Sequence, residues 1–347
     1  MYEYIGNIHI HSKYSDGSKS IKEIAAVAKT TGLDFIIITD HFNLDGLHNN
    51  EEGYIHGVLV LVGMEVNDTC NHYLALDIKK VVENNTSKPQ EVIDEVNRQG
   101  GIGVIAHPVE KGTPLFYDGR TYEWVDWTVE DFQGIEIWNF LSQYKDSFTN
   151  IPAALFFLIY PHLALTGPYK KTMEIFDNYQ KKGKNIIAFG GSDAHGIKLK
   201  LGPIKITVAP YDLSFKCINM HILTGKKLTG DPAGDKGIIY NSLRKGNAWI
   251  SYDYFKNSRG FRFELKKGTR VWPMGSQVPY QNDLQIKIKT PLKAKIKVIK
   301  NGSLWQQKKG HSHTFYGIDK GIYRVEAYHC HLWGYRPWIF SNSIIVG

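Results

Sequence analysis

Cysteine is scarce in this sequence of 347 residues, and a long uninterrupted apolar run is absent. The three cysteines, Cys70, Cys217 and Cys330, are odd in number and widely spaced, which argues against a disulfide framework. The longest apolar stretch, IPAALFFLIYPHLAL from Ile151, is fifteen residues long and is interrupted by a proline and a histidine. A membrane-crossing helix needs about twenty apolar residues. We therefore expect no transmembrane segment, and a buried or pocket-lining helix in this stretch.

Several familiar motifs are also missing. No GxGxxG follows the first candidate strand and no GxxxxGK[ST] occurs, so the usual nucleotide-binding signatures are absent. Neither CxxC nor HExxH occurs, which excludes zinc-finger and thermolysin-like sites. Residues 1–6 lead straight into the first candidate strand without the basic and apolar segments of a secretory signal. We therefore predict a cytoplasmic protein, with earlier removal of a signal peptide as the alternative.

Positive charge is concentrated near the C-terminus. The whole sequence has a net charge of +8, but residues 256–347 contain seventeen Lys and Arg against four Asp and Glu, a balance of +13, which leaves −5 for residues 1–255. This difference predicts two domains, residues 1–255 and residues 256–347. The basic domain favours an anionic partner such as nucleic acid or a cell-surface polymer. RNP-like aromatic motifs are absent, so nucleic acid is the less favoured of the two.

Strand-like and helix-like segments alternate through residues 1–255. Short continuous apolar runs recur, as in LDFIIITDH, VLVLVGMEV and NIIAFGGSD, which is the pattern of strands buried on both faces. Helical segments lie between them; one begins after Ser20 and ends at Gly32, and another begins near Pro89. The alternation predicts an α/β domain with a parallel sheet. Ligand-type residues at several strand ends favour a closed βα barrel over an open sheet.

The pattern changes after about residue 256. FRFEL, LQIKIK, AKIKVIKNG, GIYRVEAYH and WIFSNSIIVG are short alternating strands separated by glycine and asparagine turns. About ninety residues of this kind predict a small all-β, Ig-like sandwich. Lysines at alternate positions between 287 and 297 form a stripe. The stripe either protects an exposed strand from edge pairing or binds the anionic partner.

Histidines and carboxylates gather at the ends of the apolar runs. Six of the fourteen histidines and three carboxylates occupy such positions: His9, His11, Asp16, His41, Glu65, His72, His107, Asp193 and His195. Burying so many imidazoles and carboxylates together costs free energy unless cations pair with them. Imidazole and carboxylate ligands without thiolates suit Zn, Mn or Fe and do not select among them. One catalytic zinc uses about three protein ligands, so this larger set predicts two or three divalent metal ions.

These segments resemble the PHP (polymerase and histidinol phosphatase) family. The similarity is carried, in order, by HIHSKYSDGS, TDH, GMEV, NHYLALDI, IAHP and GGSDAH, within roughly the first 225 residues. The resemblance implies a distorted (βα)7 barrel with a trinuclear metal cleft, and it is closest to the stand-alone phosphoesterases. GPYKKTMEIFD and WIFSNSIIVG are similar to segments of a carbaryl-hydrolase-like subgroup that has a β-rich tail.

The resemblance also implies a role for each ligand-type residue. The first metal ion would bind His9, His11, Glu65 and Asp193; the second would share Glu65 and bind His72 and His107; the third would bind Asp16, His41 and His195. Asp193 and His195 are the catalytic candidates, the first as acceptor of a proton from water and the second as an aid to the leaving group. Asp40 either fixes the tautomer of a ligating histidine or caps a strand end.

The predicted chemistry is hydrolysis of an ester. Two close cations lower the pKa of a shared water and clamp the oxygens of an in-line displacement. We therefore predict a phosphoesterase that uses a metal-bridging hydroxide on a small phosphate mono- or diester. The candidate substrate contacts are Asn139, Arg120, Tyr169 and Lys170, on loops that should border the cleft. The alternatives are hydrolysis of a carbamate or carboxyl ester at the same metal site, and binding of an anionic polymer by the basic domain.

Overall fold

The computed structural model describes residues 1–115, 117–201, 204–331 and 334–347. In its first part, strands alternate with helices. The strands are β1 (Tyr2–Asn7), β2 (Phe35–His41), β3 (Gly53–Ile55), β4 (Val58–Val66), β5 (Tyr73–Leu76), β6 (Ile102–Ile105), β7 (Gly134–Asn139), β8 (Ile187–Gly191), β9 (Ile197–Leu201), β10 (Ile204–Val208), β11 (Ile218–Thr224) and β12 (Ala248–Tyr252). The helices are α1 (Ile21–Thr31), α2 (Asp45–His48), α3 (Pro89–Arg98), α4 (Phe140–Asp146), α5 (Ile151–Ile159), α6 (Lys170–Lys181), α7 (Tyr211–Cys217) and α8 (Pro232–Lys245), with short 3-10 turns at Tyr117–Gly119 and Pro161–Leu163.

Helix α1 begins and ends where the sequence predicts. The Ser20 hydroxyl accepts a hydrogen bond from the Glu23 amide, and the Glu23 carboxylate accepts one from the Ser20 amide, which together form a capping box. Gly32 ends the helix with a φ of 83°, a left-handed conformation that glycine adopts without strain.

The barrel sheet is mixed, whereas the alternation of strands and helices predicted a parallel one. Strands β1, β2 and β4 run parallel, as do β6, β7 and β8, but β5 is antiparallel to both β4 and β6, and β11 is antiparallel to β1. Residues 67–72 join β4 to β5, and so short a connection cannot carry the crossover that a parallel pair needs. The start of β5 therefore lies at the same end of the barrel as the end of β4.

The barrel closes at the segments that follow β8 and β1. The Ser192 amide donates to the Ile8 carbonyl (3.1 Å), and the Ala194 amide donates to the His9 carbonyl (3.2 Å). The His11 amide returns a hydrogen bond to the Ala194 carbonyl (3.0 Å). Closure brings the C-terminal ends of β1, β2, β4, β6 and β8 together, which is where barrels of this kind hold their chemistry. The predicted α/β barrel is confirmed.

The second part is all β, as predicted. Its strands are β13 (Arg262–Lys267), β14 (Arg270–Pro273), β15 (Gln277–Val278), β16 (Gln285–Lys300), β17 (Ser303–Phe315), β18 (Gly321–His331), β19 (Gly334–Ser341) and β20 (Ile344–Val346). Strand β16 pairs with β13 in its first third and with β18 in its last half, and it helps to enclose a separate apolar core. Pairing of β12 with β19 joins this part to the barrel. The predicted boundary at residues 255 and 256 falls between β12 and β13.

Helix α5 differs from its prediction. None of its residues is buried, and it lines no cleft near the predicted ligands. Hydrophobicity predicted burial here, but neighbouring elements cover only one side of the helix, with Ala154, Phe157 and Leu158 packed against the barrel core. Throughout the described part of the chain, every helix is too short or too polar to cross a membrane.

Candidate metal centre

Four ligand-type side chains converge at the end of the barrel. His9 and His11 follow β1, Glu65 lies near the end of β4, and Asp193 follows β8. Nε2 of His9 lies 3.2 Å from Glu65 Oε2 and 3.4 Å from Asp193 Oδ1. Nε2 of His11 lies 3.2 Å and 3.3 Å from the same two oxygens. All four residues are buried, so the two nitrogens and two oxygens face one another away from solvent.

Glu65 belongs to a second set through its other oxygen. Oε1 of Glu65 lies 2.7 Å from Nδ1 of His72, which precedes β5, and 3.2 Å from Nε2 of His107, which follows β6. Because Oε2 faces the first set and Oε1 faces the second, one carboxylate is placed to bridge them.

Asp16 is at the centre of a third set. Its carboxylate lies 3.2 Å from His195 Nε2, 3.7 Å from His11 Nδ1 and 3.9 Å from His41 Nε2. The structure therefore brings all nine predicted residues together in three adjoining sets, and His11 also reaches the third set. A neutral imidazole offers one lone pair, so His11 serves one of its two sets at a time.

The histidine tautomers test whether cations fit this site. His9 Nδ1 donates to Glu136, His72 Nε2 donates to the Asp68 carbonyl (2.9 Å), and His195 Nδ1 donates to the Asp193 carbonyl (2.8 Å). In a neutral imidazole the remaining nitrogen then carries a lone pair, and in each case it faces a carboxylate. Lone pairs and carboxylate oxygens repel unless a cation lies between them. Nε2 of His9 is buried and has no hydrogen-bond partner among the described residues, which is the position that a metal ligand occupies.

The ionisation of the site leads to the same conclusion. Burial lowers the pKa of His9 and His11, but the Glu65 and Asp193 carboxylates outweigh it, so the pKa of His9 is well above its ordinary value and that of His11 rises to about 10. Burial raises the pKa of Glu65 and Asp193, but the surrounding imidazoles outweigh it and hold both values well below the ordinary range. The carboxylates thus stay ionised and are paired with positive charge: without metal the protonated imidazoles supply it, and divalent cations bound to the neutral imidazoles would supply it in their place.

Three of the ligand-type residues have unusual backbone conformations. His9 has a φ of 62°, Asp193 of 52° and His107 of 20°. Positive φ is uncommon outside glycine and persists where the surroundings impose it. Each of these residues is the second residue after the end of a barrel strand, so the turn directs its side chain into the shared centre.

Glu136 is a supporting residue that the sequence did not reveal. Its Oε1 accepts a hydrogen bond from His9 Nδ1 (3.1 Å), and its Oε2 accepts from the His107 amide and from Asn139 Nδ2, both at 2.9 Å. A Cβ on Gly191 would lie 2.1 Å from Glu136 Oε1, so glycine leaves room for the carboxylate. The sequence feature that could have indicated this role is the one acidic residue in the apolar strand GIEIWN.

Asp40 holds a loop. Its carboxylate accepts hydrogen bonds from the amide (2.7 Å) and hydroxyl (2.6 Å) of Ser12 and from the Ser15 hydroxyl (2.6 Å). This loop joins His11 to Asp16, so Asp40 positions two ligand-type residues through the backbone. Its hydrogen bonds within the described chain reach no imidazole, in contrast to the predicted tautomer-fixing role.

The three sets open into a cleft of about 460 Å³. The residues that line it are Tyr14, Ser15, Asp16, His41, Phe42, Glu65, Asp68, His72, His107, Glu110, Tyr122, Leu141, Lys145, Asp193 and His195. Lys145 Nζ lies 3.1 Å from Glu110 Oε1, which also accepts a hydrogen bond from the Ser142 hydroxyl (2.6 Å). This buried cation in the cleft wall was not singled out from the sequence, because a lone lysine in FLSQYKD resembles an ordinary helix-surface residue.

The four predicted substrate contacts are absent from the described cleft wall. Asn139 accepts a hydrogen bond from the Ser142 amide and begins α4, and Arg120 is exposed. The Tyr169 hydroxyl donates to Asp146 (2.5 Å), and Lys170 extends into solvent beside Glu174. Contacts of this kind depend on where each strand or helix ends and how the chain turns there, which residue type alone does not determine.

Fold and site together define the class: an α/β barrel whose strand ends gather imidazoles and carboxylates in sets suited to divalent cations. The PHP domain family matches residues 7–185, more than half of the chain, and the chain belongs to this family.

Among its relatives, an uncharacterized protein of Methanocaldococcus jannaschii is 26% identical over an alignment of 156 residues, which covers 42% of this chain and 85% of that protein. Among solved structures, the chain is similar to a two-domain protein from Bacteroides vulgatus containing a predicted PHP-like metal-dependent phosphoesterase, with 13% identity, a TM-score of 0.46 and coverage of 99% of this chain and 95% of that one. It is also similar to an amidohydrolase from Chromobacterium violaceum with bound sulfate, with 15% identity, a TM-score of 0.33 and coverage of 57% and 92%.

Proposed function

We propose that this protein is a metal-dependent hydrolase that cleaves small phosphate mono- or diesters. The observation that carries the proposal is the convergence of nine imidazole and carboxylate side chains in three adjoining sets beside an open cleft. Membership of the PHP domain family supports it. The arrangement fits two or three divalent ions, and the donor atoms suit Zn, Mn or Fe equally.

The proposed ligands follow the three sets. They are His9, His11, Glu65 and Asp193; Glu65, His72 and His107; and Asp16, His41 and His195. Divalent cations in such sites lower the pKa of a shared water and neutralise phosphate oxygens. Glu65 would hold two of the sets at a fixed separation, and Glu136 would keep His9 in the tautomer that presents Nε2.

The two catalytic candidates have different roles in this proposal. Asp193 is held ionised by the imidazoles around it, and a carboxylate of such low pKa is a weak proton acceptor. Its main role is therefore to bind and orient. His195 presents Nε2 towards Asp16 and the cleft. In the neutral ring that atom carries the lone pair and would bind a cation with Asp16; in the protonated ring it would instead give its proton to the leaving oxygen.

Lys145 supports a phosphate substrate. Its ammonium group is part of the cleft wall and is held in place by Glu110. A fixed cation at this point would neutralise a phosphate oxygen that the metal sets do not reach.

Tyr14, Phe42, Tyr122 and Leu141 give another part of the wall an apolar character. This apolar part favours the second candidate, hydrolysis of an aryl carbamate or carboxyl ester.

Metal analysis combined with a substrate panel tests the proposal. The panel contains p-nitrophenyl phosphate, bis(p-nitrophenyl) phosphate and p-nitrophenyl acetate, assayed with wild type, His9→Ala and Asp193→Asn. We expect hydrolysis of at least one phosphate ester by the wild type, with bound metal and activity lost in both variants. Full metal content and activity in the variants would contradict the site, and hydrolysis of the acetate alone would contradict the phosphate assignment.

A further inference from the structure

Helix α5 exposes an apolar surface that the proposed hydrolase activity does not use. All nine of its residues are apolar and none is buried. Ile151 is 66% exposed and Ile159 is 69% exposed. Residues 147–169 include no Asp, Glu, Lys or Arg. A continuous apolar surface without charges, bordered by polar residues, indicates an interaction site.

The exposed residues lie on one side of the helix. Ala154, Phe157 and Leu158 pack against the barrel core, and the Tyr144 hydroxyl donates to the Phe157 carbonyl (3.1 Å). The opposite side is formed by positions three and four residues apart, which share a helix face. We call this side, together with the residue that follows the helix, the α5 stripe: Ile151, Leu155, Phe156, Ile159 and Tyr160.

The chain that follows the α5 stripe lies against the segment that leads from β12 into the all-β part. The His162 ring stacks on Tyr254, with 5.1 Å between centroids and 13° between planes. The next residue, Phe255, contacts His331 with 4.3 Å between ring centroids. The Arg336 guanidinium lies 5.8 Å from the centre of the Phe255 ring. Aromatic contacts therefore connect the stripe to a cation at the start of β19.

Two more cations lie beside the same end of β19. Lys295 and Lys309 are paired across β16 and β17, and their ammonium groups lie 6.0 Å and 5.2 Å from the ring of Tyr335. Tyr335 directly precedes Arg336. We call Lys295, Lys309 and Arg336 the basic edge. Residues 284–318 and 327–347, which contain the basic edge, include no Asp or Glu.

We propose that the α5 stripe and the basic edge together dock this protein on the surface of an anionic lipid bilayer. Aliphatic and aromatic side chains on one helix face enter the boundary between headgroups and acyl chains, and neighbouring cations bind anionic headgroups. Tyr160, Tyr254 and Tyr335 add amphipathic rings, which are favoured at that depth. The proposal does not depend on the chemistry of the metal centre.

Other occupants fit this surface less well. An anionic polymer would neutralise the basic edge but would leave the α5 stripe in water. A second copy of this chain would cover the stripe, but the basic edge would then meet the same acid-free segments, and like charges repel. A bilayer containing anionic lipids satisfies the apolar and the charged parts at once.

Sedimentation with lipid vesicles tests the proposal on the full chain. The vesicles consist of phosphatidylcholine alone or of phosphatidylcholine mixed with phosphatidylglycerol. We expect binding to the mixed vesicles, weaker binding to the neutral ones, and a loss on raising NaCl from about 0.1 M to about 0.5 M because the charged contacts are screened. Lys295→Glu with Lys309→Glu should weaken binding to the mixed vesicles by roughly tenfold or more.

A second set of variants tests the apolar half. Leu155→Ser, Phe156→Ser and Ile159→Ser combined should abolish vesicle binding, while hydrolysis of a soluble ester stays unchanged. The matched controls are Val81→Ser, Val125→Ser and Val271→Ser combined, which remove exposed apolar side chains elsewhere, and Lys22→Glu with Lys29→Glu on α1. Equal loss in the controls, no wild-type binding to mixed vesicles, or a dimer that only the α5 triple variant disrupts would overturn the proposal.

Discussion

Two buried histidine–carboxylate clusters in this protein are similar in composition and differ in how the imidazole nitrogens are used. His221 lies between Glu3 and Asp253, with Nδ1 at 3.3 Å from one carboxylate and Nε2 at 2.8 Å from the other. Each nitrogen therefore has an anionic acceptor. At the candidate metal centre, His9 also donates one N–H to a carboxylate, Glu136, but its second nitrogen has no hydrogen-bond partner in the described chain.

The difference shows which feature distinguishes a ligand set from an ion pair. When His221 is protonated, each of its two N–H groups donates to one carboxylate. The cluster is therefore complete without a metal ion. At the barrel end, six imidazoles face three carboxylates in one place, and the buried Nε2 atoms of His9 and His11 have no hydrogen-bond partner among the described residues. Both clusters contain carboxylates and imidazoles. The candidate metal site differs from the structural cluster because some of its buried imidazole nitrogens have no hydrogen-bond partner among the described residues.

Removing His9 should have the largest effect on function. His9→Ala deletes Nε2 from the first set, so we expect bound metal to fall and ester hydrolysis to drop by more than about 100-fold. Metal content by mass spectrometry and initial rates on p-nitrophenyl phosphate check this. His221→Leu, assayed at a temperature where circular dichroism shows that it is folded, is the control because it alters an equally buried imidazole outside the centre. A loss of metal by this folded variant that matches the loss in His9→Ala would remove the contrast between the clusters.

Removing His221 should have the largest effect on stability. His221→Leu leaves the buried Asp253 without its cationic partner, whereas Glu3 keeps its ion pair with Arg262. Breaking a buried pair in this way costs about 3 to 5 kcal/mol. Urea unfolding with metal present measures the change. A loss below about 1 kcal/mol, the value typical of an exposed pair, would mean that the cluster is not the ion pair described here.

The His221 cluster should also give a characteristic pH dependence. Burial lowers the pKa of His221, but Asp253 and Glu3 outweigh it and raise the pKa to about 9 from 6.5. The stabilisation is therefore complete below pH 6.5 and is lost as the pH rises through 9. The stability difference between wild type and His221→Leu should shrink by about 3 kcal/mol between these limits. Unfolding at several pH values checks the slope, and a difference that grew with pH would have the wrong sign.

Glu136→Gln should weaken the metal centre without deleting a ligand. Glutamine has the same shape, but it removes the charge that fixes the His9 tautomer. Loss of such a partner lowers metal affinity or activity by about 10- to 100-fold. Competition with a chelator measures the affinity. Glu264→Gln, at a partly buried carboxylate on β13, is the matched control, and an effect equal to that of the control would remove Glu136 from the site.

Lys145→Met should have the smallest effect. We expect KM for a phosphate ester to rise by about tenfold with kcat nearly unchanged, since the contact is to an oxygen that bears charge before and after reaction. The double variant Lys145→Met with Glu110→Gln controls for the carboxylate left without its partner. A KM that stays unchanged in both variants would show that Lys145 serves the fold and does not contact substrate.

The sequence predicted most of the barrel and the position of its centre. Short strands ending in histidine or carboxylate were sufficient to predict that nine side chains would meet, because the ends of barrel strands share one face. The structure brings them into three sets with Glu65 between two of them, although their role as ligands stays a proposal. Strands β3, β5 and β11 are exceptions to the predicted parallel direction. For β5 the reason is its short connection from β4, which reverses the chain.

Other features required coordinates. In the sequence, Glu136 is one acidic residue within an apolar strand. Its role is evident only from the hydrogen bond between its carboxylate and His9 Nδ1. Hydrophobicity predicted burial of α5, but a short apolar run contains no information about whether a neighbour covers it, and this helix is exposed. The predicted substrate contacts lie at the end of β7, in loops and at the start of α6. They fail to reach the cleft because local hydrogen bonds, such as that between Tyr169 and Asp146, direct the side chains elsewhere.

Anomalous diffraction from crystals grown with Mn or Zn would test the central claim most directly. The account predicts peaks among the nine side chains, with two of them on either side of the Glu65 carboxylate, and no peak at His221. Crystals saturated with metal that show no peak among these nine residues would contradict it.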